Sequence, residues 1–299
     1  MIFKRTHFLV LMVLSMFILS FLPAKEIPPK IVTTQWLKEN LAIENLRILD
    51  VRENIREYWK KHIPGAVYCH PEIMRLADKG IPGKMMPPKA FAIMLGQMGI
   101  TPQTHVVVYA EKSDFKPSYL VWILDYLEHP ASSILDGGLE KWEKENLPIT
   151  QDYPKISGAI YPLPGKFREE IRANLEEVKN SLGNKDYVLL DVRTKKLYTG
   201  EEGFWKRNGH IKGAINHFWS EDIDEKGMWK DKEILKDTYT KLGATSDKTI
   251  IVSCGQGQMS SHAYITLKYI LNYPRVKNYD GSFSEWAYRD DLPVETGDK

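Results

Sequence analysis

The sequence predicts an α/β protein built by tandem duplication, in which each copy forms a mainly parallel sheet with helices on both faces. Three observations support this fold class. The 299 residues suit two domains, a set of motifs occurs twice, and short apolar runs alternate with helical patterns. Strands that are buried on both faces read as short, continuous apolar runs, as they do here.

Four sequence blocks recur in the same order, which indicates duplication of one unit. The pairs are 48–52 (ILDVR) with 189–193 (LLDVR), 62–66 (HIPGA) with 210–214 (HIKGA), 106–109 (VVVY) with 250–253 (IIVS), and 136–142 (DGGLEKW) with 280–286 (DGSFSEW). The last two pairs share one offset of 144 residues, so no gap separates them.

The elements follow from local patterns. In the first copy we predict strands over 47–52 and 105–109, helices over 88–98 and 117–127, and a first helix capped by Thr33 or Thr34. The predicted domains are 28–149 and 169–299. They are joined by a linker over 150–168 that is rich in proline, glycine and tyrosine and lacks periodicity.

The first 24 residues have the pattern of a signal peptide. Lys4 and Arg5 precede an apolar run over 8–22, and Ala24 supplies a small residue at a cleavage point. The run is shorter than a bilayer span of about 20 residues. We therefore expect an exported protein, periplasmic or secreted. The alternative is an uncleaved anchor that holds the domains outside the membrane.

Composition and charge restrict the partners. The chain is 43% hydrophobic and 27% charged, with a net charge of +2. Removal of the leader, with Lys4 and Arg5, leaves equal numbers of basic and acidic residues, so we expect no nucleic-acid partner. A membrane partner is expected only if the N-terminal segment is retained.

The strongest chemical signal lies in residues 250–262 (IIVSCGQGQMSSH). An apolar, β-branched run ends at Cys254, a loop with two glycines follows, and Ser260-Ser261 stand where a helix would begin. Open α/β sheets carry their chemistry at the carboxyl ends of strands, where this thiol would lie. Loop amides and the positive end of a helix dipole favour thiolate over thiol. Cys254 is therefore predicted to be a nucleophile.

The two copies differ at this position. The offset of 144 residues places Ala110 opposite Cys254, and the first-copy loop (110–114, AEKSD) lacks both the thiol and the glycines. The first copy is predicted to be a non-catalytic scaffold and the second to be catalytic. Cys69, the other cysteine, lies at a non-equivalent position, so we expect it to be an unpaired core residue.

Together the duplicated blocks and the Cys-Gly-x-Gly loop resemble the two-domain rhodanese family of sulfurtransferases, from about Ile31 to the end of the chain. The resemblance implies two rhodanese-like domains and a cysteine that takes a sulfane sulfur from thiosulfate or 3-mercaptopyruvate. The sulfur is held as a persulfide and passes to cyanide or a thiol, without a cofactor. By position Cys254 is the implied carrier. The implied substrate-binding loop consists of Gly255, Gln256, Gly257, Gln258, Met259 and Ser260.

The loop departs from both well-known types within that family. Thiosulfate-preferring members have Arg and Lys after the cysteine, where this chain has Gly255 and Gln256; the mercaptopyruvate type has Gly and then Ser or Thr. The family's anion-binding Arg, before Tyr-x-Gly, falls at Leu197. We expect Lys196, or else Lys195, to replace it. These departures leave the donor open and predict weak activity toward thiosulfate.

Residues that recur in the inactive copy are interpreted as structural. Arg193 and Asp191 match Arg52 and Asp50, so we expect them to support the active loop rather than react. His62 and His210 recur likewise and are predicted to be fold determinants. The histidines show no metal-ligand spacing with either cysteine, so no metal is expected.

Other residues near the second-copy loop give predictions of position but point to no particular chemistry. His262 is expected at a surface position on the first turn of its helix. Several aromatic side chains are expected to pack between the domains, with some forming walls of the pocket. They are Tyr198, Phe204, Trp205, Phe218, Trp219 and Trp229.

Two other functions share features with this sequence. A cysteine phosphatase shares the strand–Cys–loop–helix arrangement, but it needs an Arg six positions after the cysteine, where this chain has Ser260. The serious alternative is a sulfur-carrier module that accepts persulfide sulfur from a partner and turns over small donors slowly. Either function implies a small sulfur donor and a thiophilic acceptor as partners.

Overall fold

The computed structural model describes residues 28–298. The predicted signal peptide over 1–24 lies outside the described residues. Within the described part, no helix combines the length and the apolarity needed to cross a membrane.

The first domain is built on a five-stranded parallel sheet with the strand order β1-β7-β6-β2-β3. A separate antiparallel hairpin, β4–β5, projects from it. The strands are β1 (Ile31–Val32), β2 (Leu46–Asp50), β3 (Ala66–Tyr68), β4 (Arg75–Asp78), β5 (Ile81–Met85), β6 (His105–Tyr109) and β7 (Ser132–Leu135). The helices are α1 (Thr34–Asn40), α2 (Ile55–Lys60), α3 (Pro88–Gln97), α4 (Lys116–Tyr126) and α5 (Gly138–Lys144).

The second domain repeats this sheet, with the equivalent order β8-β13-β12-β9-β11 and all neighbours parallel. Its strands are β8 (Arg172–Ala173), β9 (Tyr187–Asp191), β10 (His210–Ile211), β11 (Ile215–Asn216), β12 (Thr249–Ser253), β13 (Val276–Tyr279) and β14 (Val294–Glu295). Its helices are α6 (Leu175–Ser181), α7 (Lys195–Thr199), α8 (Lys232–Lys241), α9 (Ser260–Ile265) and α10 (Ser282–Trp286). The predicted fold class, two duplicated α/β units with parallel sheets, is confirmed.

The recurring blocks form equivalent structural units. His62 and His210 are fully buried, and each stacks on a tyrosine, Tyr58 at 4.0 Å and Tyr198 at 3.8 Å between ring centroids. The Nδ1 atom of each histidine also lies 2.8–2.9 Å from the carbonyl oxygen of that same tyrosine. A buried ring held by stacking and a hydrogen bond fixes the chain locally, which agrees with a structural role for both histidines.

The two domains pack through a pseudo-twofold interface. The backbone N–H of Met85 donates to the carboxylate of Asp280 at 3.2 Å, and that of Trp229 donates to Asp136 at 3.3 Å. Within each of the pairs 85/229 and 136/280 the residues lie 144 positions apart. Helix α4 packs against α9, which begins 144 residues later. The interface is therefore self-complementary, as in a twofold dimer.

The surface position expected for His262 was wrong. Its side chain is 2% exposed, because the first turn of α9 lies in the interdomain interface. The ring stacks on Trp229 at 4.6 Å and meets Trp219 edge-on at 5.1 Å. Burial lowers the pKa of His262 to about 4. The two tryptophans thus pack between the domains as expected, and Trp219 also contacts Phe115 of the first domain.

The interface contains Asp136, and we expect the contribution of this residue to the stability of the fold to depend on pH. Burial raises the pKa of this carboxyl to about 6. An acid whose pKa is higher in the folded chain than its ordinary value near 4 stabilises the fold at low pH, and this contribution is lost as pH rises to about 6. Asp136→Asn keeps an acceptor for the Trp229 N–H, so we expect a higher Tm than wild type at pH 8 and little difference at pH 4.

Thermal unfolding followed by circular dichroism at both pH values measures this difference. Asp152→Asn, at an exposed position outside the interface, is the matched control and should not change the profile. If Asp136→Asn lowers the Tm at pH 8, the claim that the buried Asp136 carboxylate destabilises the fold at high pH is contradicted.

Candidate functional site

Cys254 follows strand β12, which lies between β9 and β13 inside the second sheet. The thiol therefore lies at the carboxyl edge of the sheet, and a short loop leads from it to Ser260, the first residue of α9. Cys254 is 2% exposed. The backbone N–H of Gly257 donates to Sγ at 3.1 Å. This hydrogen bond aims a loop amide at the sulfur, as the sequence predicted for an activated thiol.

Two hydroxyls also approach the sulfur, but each has a nearer acceptor. Ser260 Oγ lies 3.6 Å from Sγ and 2.6 Å from Asn278 Oδ1. Ser282 Oγ lies 4.0 Å from Sγ and 2.7 Å from the Tyr279 carbonyl oxygen. Since a hydroxyl has one proton to donate, the Gly257 N–H is the principal donor to the sulfur.

Glycine is required at position 257 by two features of the loop. Its φ is +79°, in the left-handed region that favours glycine. A Cβ there would lie 2.5 Å from the carbonyl oxygen of Asp280. Gly255 has no such φ, but a Cβ at that position would lie 3.1 Å from the Trp205 ring. Close approach therefore matters at both positions, and positive φ matters only at Gly257.

Buried polar residues on β13 and α10 hold the loop in place. Asn278 donates from Nδ2 to the Gly257 carbonyl oxygen at 2.9 Å and accepts from Ser260. Ser282 accepts a hydrogen bond from the Cys254 N–H at 3.0 Å. Sequence reasoning missed both residues. The available signal was the polar residue Asn278 in the short segment 276–279 (VKNY), directly before the Asp-Gly block.

Asp191 and Arg193 form a buried ion pair beside the loop, with each side chain 1% exposed. The guanidinium also donates to the Gly209 carbonyl oxygen at 2.7 Å and lies over the rings of Phe283 and Trp205. The equivalent pair in the first domain, Asp50–Arg52, has the same geometry at 2.7 Å. Its presence in both copies agrees with a supporting role.

A cavity of about 200 Å³ opens above the thiol. It is lined by Phe115, Arg193, Leu197, Phe204, Trp205, Cys254, Gly255, Gln256, Gln258 and Met259. Within residues 28–298, Arg193 Nη1 and Gln258 Nε2 are buried donors without a hydrogen-bond partner. Phe115 belongs to the first domain, so both domains contribute to the cavity. Buried unfilled donors of this kind suit an anionic or carbonyl oxygen of a ligand.

The expected anion-binding lysines do not reach the cavity. Lys196 is exposed and pairs with Glu202 at 3.0 Å, and this hydrogen bond raises the pKa of Lys196. Lys195 pairs with Asp298. The one-turn helix α7 directs Leu197 to the cavity instead, so its two lysines face away.

The equivalent loop of the first domain lacks the cysteine. Ala110 replaces the cysteine, and the second domain covers this loop, since a Cβ on Gly227 would meet Lys112 at 2.9 Å. Cys69 is buried and unpaired, and burial raises its pKa to about 12.

Within residues 28–298, no group of three or more His, Cys, Asp or Glu residues could hold a metal ion.

Comparisons with known proteins identify the family to which the chain belongs. The profile of the rhodanese-like domain matches residues 33–145 and 174–289. The chain is 33% identical to a sulfur carrier protein, TtuD, of Thermus thermophilus over 91% of this chain and 98% of that protein. It is 31% identical to a thiosulfate sulfurtransferase of Pseudomonas aeruginosa over 89% of this chain and 97% of that protein.

A solved structure shares the fold. The anaerobic ergothioneine biosynthesis enzyme from Chlorobium limicola superimposes with a TM-score of 0.80 and 23% identity, over 90% of this chain and 71% of that one. With two matched domains and relatives above 30% identity along most of its length, the chain belongs to the rhodanese family.

Proposed function

We propose that the protein is a sulfurtransferase that carries a sulfane sulfur as a persulfide on Cys254. The observation that carries this proposal is the position of the thiol at the base of a small cavity, with the Gly257 N–H donating to its sulfur. Relatives named thiosulfate sulfurtransferase, at about 30% identity, support the reaction class.

The proposed reaction is a double displacement. The Cys254 thiolate attacks the outer sulfur of the donor, a bond forms between the two sulfurs, and the bond from that sulfur to the rest of the donor breaks. Thiosulfate releases sulfite, and mercaptopyruvate releases pyruvate after its enolate takes up a proton. An acceptor thiolate or cyanide then attacks the outer sulfur, and the Cys254 thiolate leaves.

The chain's own groups have separate roles in these steps. The Gly257 amide stabilises negative charge on the sulfur that starts as the nucleophile and ends as the leaving group. Arg193 Nη1 and Gln258 Nε2 are the unfilled donors that would bind oxygen atoms of the donor molecule. Trp205, which is half-buried, forms an apolar wall beside the persulfide, whereas Phe204 lies at the open, solvent-exposed rim of the cavity.

The lining of the cavity bears on the choice of donor. Arg193 is its one cationic side chain among the described residues, and that charge is already paired with Asp191. A dianion such as thiosulfate is therefore bound mainly by neutral hydrogen-bond donors, and we propose modest activity toward it. Mercaptopyruvate, with one carboxylate and one carbonyl oxygen, needs less charge compensation.

A sulfur carrier with little turnover is the second candidate. The 33% identity to a protein named as a sulfur carrier favours it, as does the scarcity of unpaired cations in the cavity. This function predicts that Cys254 receives sulfur from a partner's persulfide rather than from free thiosulfate.

Turnover separates the two candidates. With thiosulfate or mercaptopyruvate and cyanide, we expect steady thiocyanate formation that is reduced at least about 100-fold by Cys254→Ser, because the serine cannot hold a persulfide. Cys69→Ser is the matched control and should retain activity, since Cys69 lies in the core of the first domain. Equal rates for wild type and Cys254→Ser would exclude the enzyme function.

Replacement of the loop glycine tests the loop geometry. Gly257→Val requires a strained φ and places a Cβ against the Asp280 carbonyl, so we expect kcat/KM to fall at least about tenfold as the N–H leaves the sulfur. Gly243→Val is the matched control, because Gly243 has a φ of +73° with open space around it, away from the loop. Full activity of Gly257→Val would refute this account of the loop.

A further inference from the structure

The hairpin of the first domain lies against the catalytic loop of the second. Its strand β5 donates the Met85 N–H to Asp280, and Lys84 pairs with Glu285 at 3.2 Å. Its strand β4 begins with Arg75, whose Nη2 donates to Gln256 Oε1 at 2.5 Å. Gln256 is the second residue after Cys254 and lines the same cavity. The non-catalytic domain thus reaches the catalytic loop directly.

The Arg75 side chain is held on several sides, so its contact with the loop is well defined. It is only 7% exposed. Its Nη1 donates to the carboxylate of Glu72 at 2.9 Å, and its Nε donates to the Gly83 carbonyl oxygen at 3.1 Å. A side chain fixed in this way loses little further entropy when it orients a neighbour.

Chemistry fixes which way the Gln256 amide points. A guanidinium has donors and no acceptor, so only the Oε1 atom of Gln256 can face Arg75. Nε2 therefore points away from Arg75. Among the described residues, Nε2 has no hydrogen-bond partner. Its two N–H groups are available to a ligand in the cavity, and the bond from Arg75 polarises them.

Gly83 makes this close approach possible. A Cβ at Gly83 would lie 2.2 Å from Arg75 Nη2 and 3.2 Å from Gln256 Cδ. Gly83, Arg75 and Gln256 are therefore packed so closely that a side chain at position 83 would displace the Arg75 guanidinium.

We propose that Arg75 is a positioning residue that orients the Gln256 amide as an anion-binding donor above Cys254. This inference rests on the proposed function and adds its ligand class, a small sulfur donor with an anionic group. The first domain thereby supplies the cation that the catalytic loop lacks, and its effect passes through a neutral amide.

Kinetics with thiosulfate test the coupling. We expect Arg75→Met to lower kcat/KM about three- to tenfold, the range for one hydrogen bond, and Arg75→Lys to restore part of the loss. Gln256→Ala should cost a similar factor. In a Gln256→Ala background, Arg75→Met should have no further effect, because Arg75 acts through Gln256. Lys79→Met removes a charge from the exposed hairpin turn and should match wild type.

A second readout does not depend on sulfur transfer. In a Cys69→Ala chain, alkylation of Cys254 by anionic iodoacetate is compared with alkylation by neutral iodoacetamide. We expect the rate ratio of anion to neutral reagent to fall about threefold or more in Arg75→Met and Gln256→Ala. Gln256→Glu keeps a partner for Arg75, so the loop stays anchored, but its carboxylate should lower the ratio further.

The two readouts separate the inference from the proposed function. A wild-type chain that takes no sulfur, yet shows an alkylation ratio dependent on Arg75, would refute the function and retain the inference. If Arg75→Met and Gln256→Glu leave the alkylation ratio at the value of Lys79→Met, or if the effects of Arg75→Met and Gln256→Ala on kcat/KM multiply, the inference is overturned.

Discussion

The loop after Cys254 is organised around one hydrogen bond, from the Gly257 N–H to the sulfur of Cys254. That bond requires the loop to turn back on itself, and the turn requires a left-handed φ at Gly257 with the Asp280 carbonyl packed against it. Asn278 on the neighbouring strand then closes the loop from the other side. Because β12 is paired on both sides within the parallel sheet, the residues that precede the loop are held rigidly. The direction of the Cys254 thiol is therefore fixed.

Duplication explains the reciprocal contacts between the two domains. Their interface is pseudo-twofold, so each domain places a segment on the Asp-Gly turn of the other: Met85 on Asp280 and Trp229 on Asp136. In the first copy Ala110 replaces the cysteine and the loop becomes packing surface, but the hairpin of that copy still contacts the Cys254 loop of the second. The first domain is then part of the proposed active site. It contributes Phe115 to the cavity and Arg75 to the orientation of Gln256.

Local patterns in the sequence were sufficient for the fold and for the position of Cys254 after a buried strand, since repeated blocks and a strand–Cys–glycine loop are recognisable within a few residues; that this thiol is the nucleophile stays a prediction. They were insufficient wherever a side chain's surroundings come from a distant segment. His262 is buried because the first domain packs on α9. Lys196 faces solvent because a one-turn helix directs Leu197 inward. The contact between Arg75 and Gln256 joins residues 181 positions apart, and a local sequence pattern does not predict a contact over that separation.

The most direct test of the account is the intact mass of the protein after incubation with thiosulfate and, separately, with mercaptopyruvate, followed by peptide mapping. We expect a gain of one sulfur atom on the peptide that contains Cys254, not on the one that contains Cys69, and its removal by cyanide. A chain that gains no sulfur from either donor, or gains it on Cys69, would contradict the claim that Cys254 is loaded by a small donor.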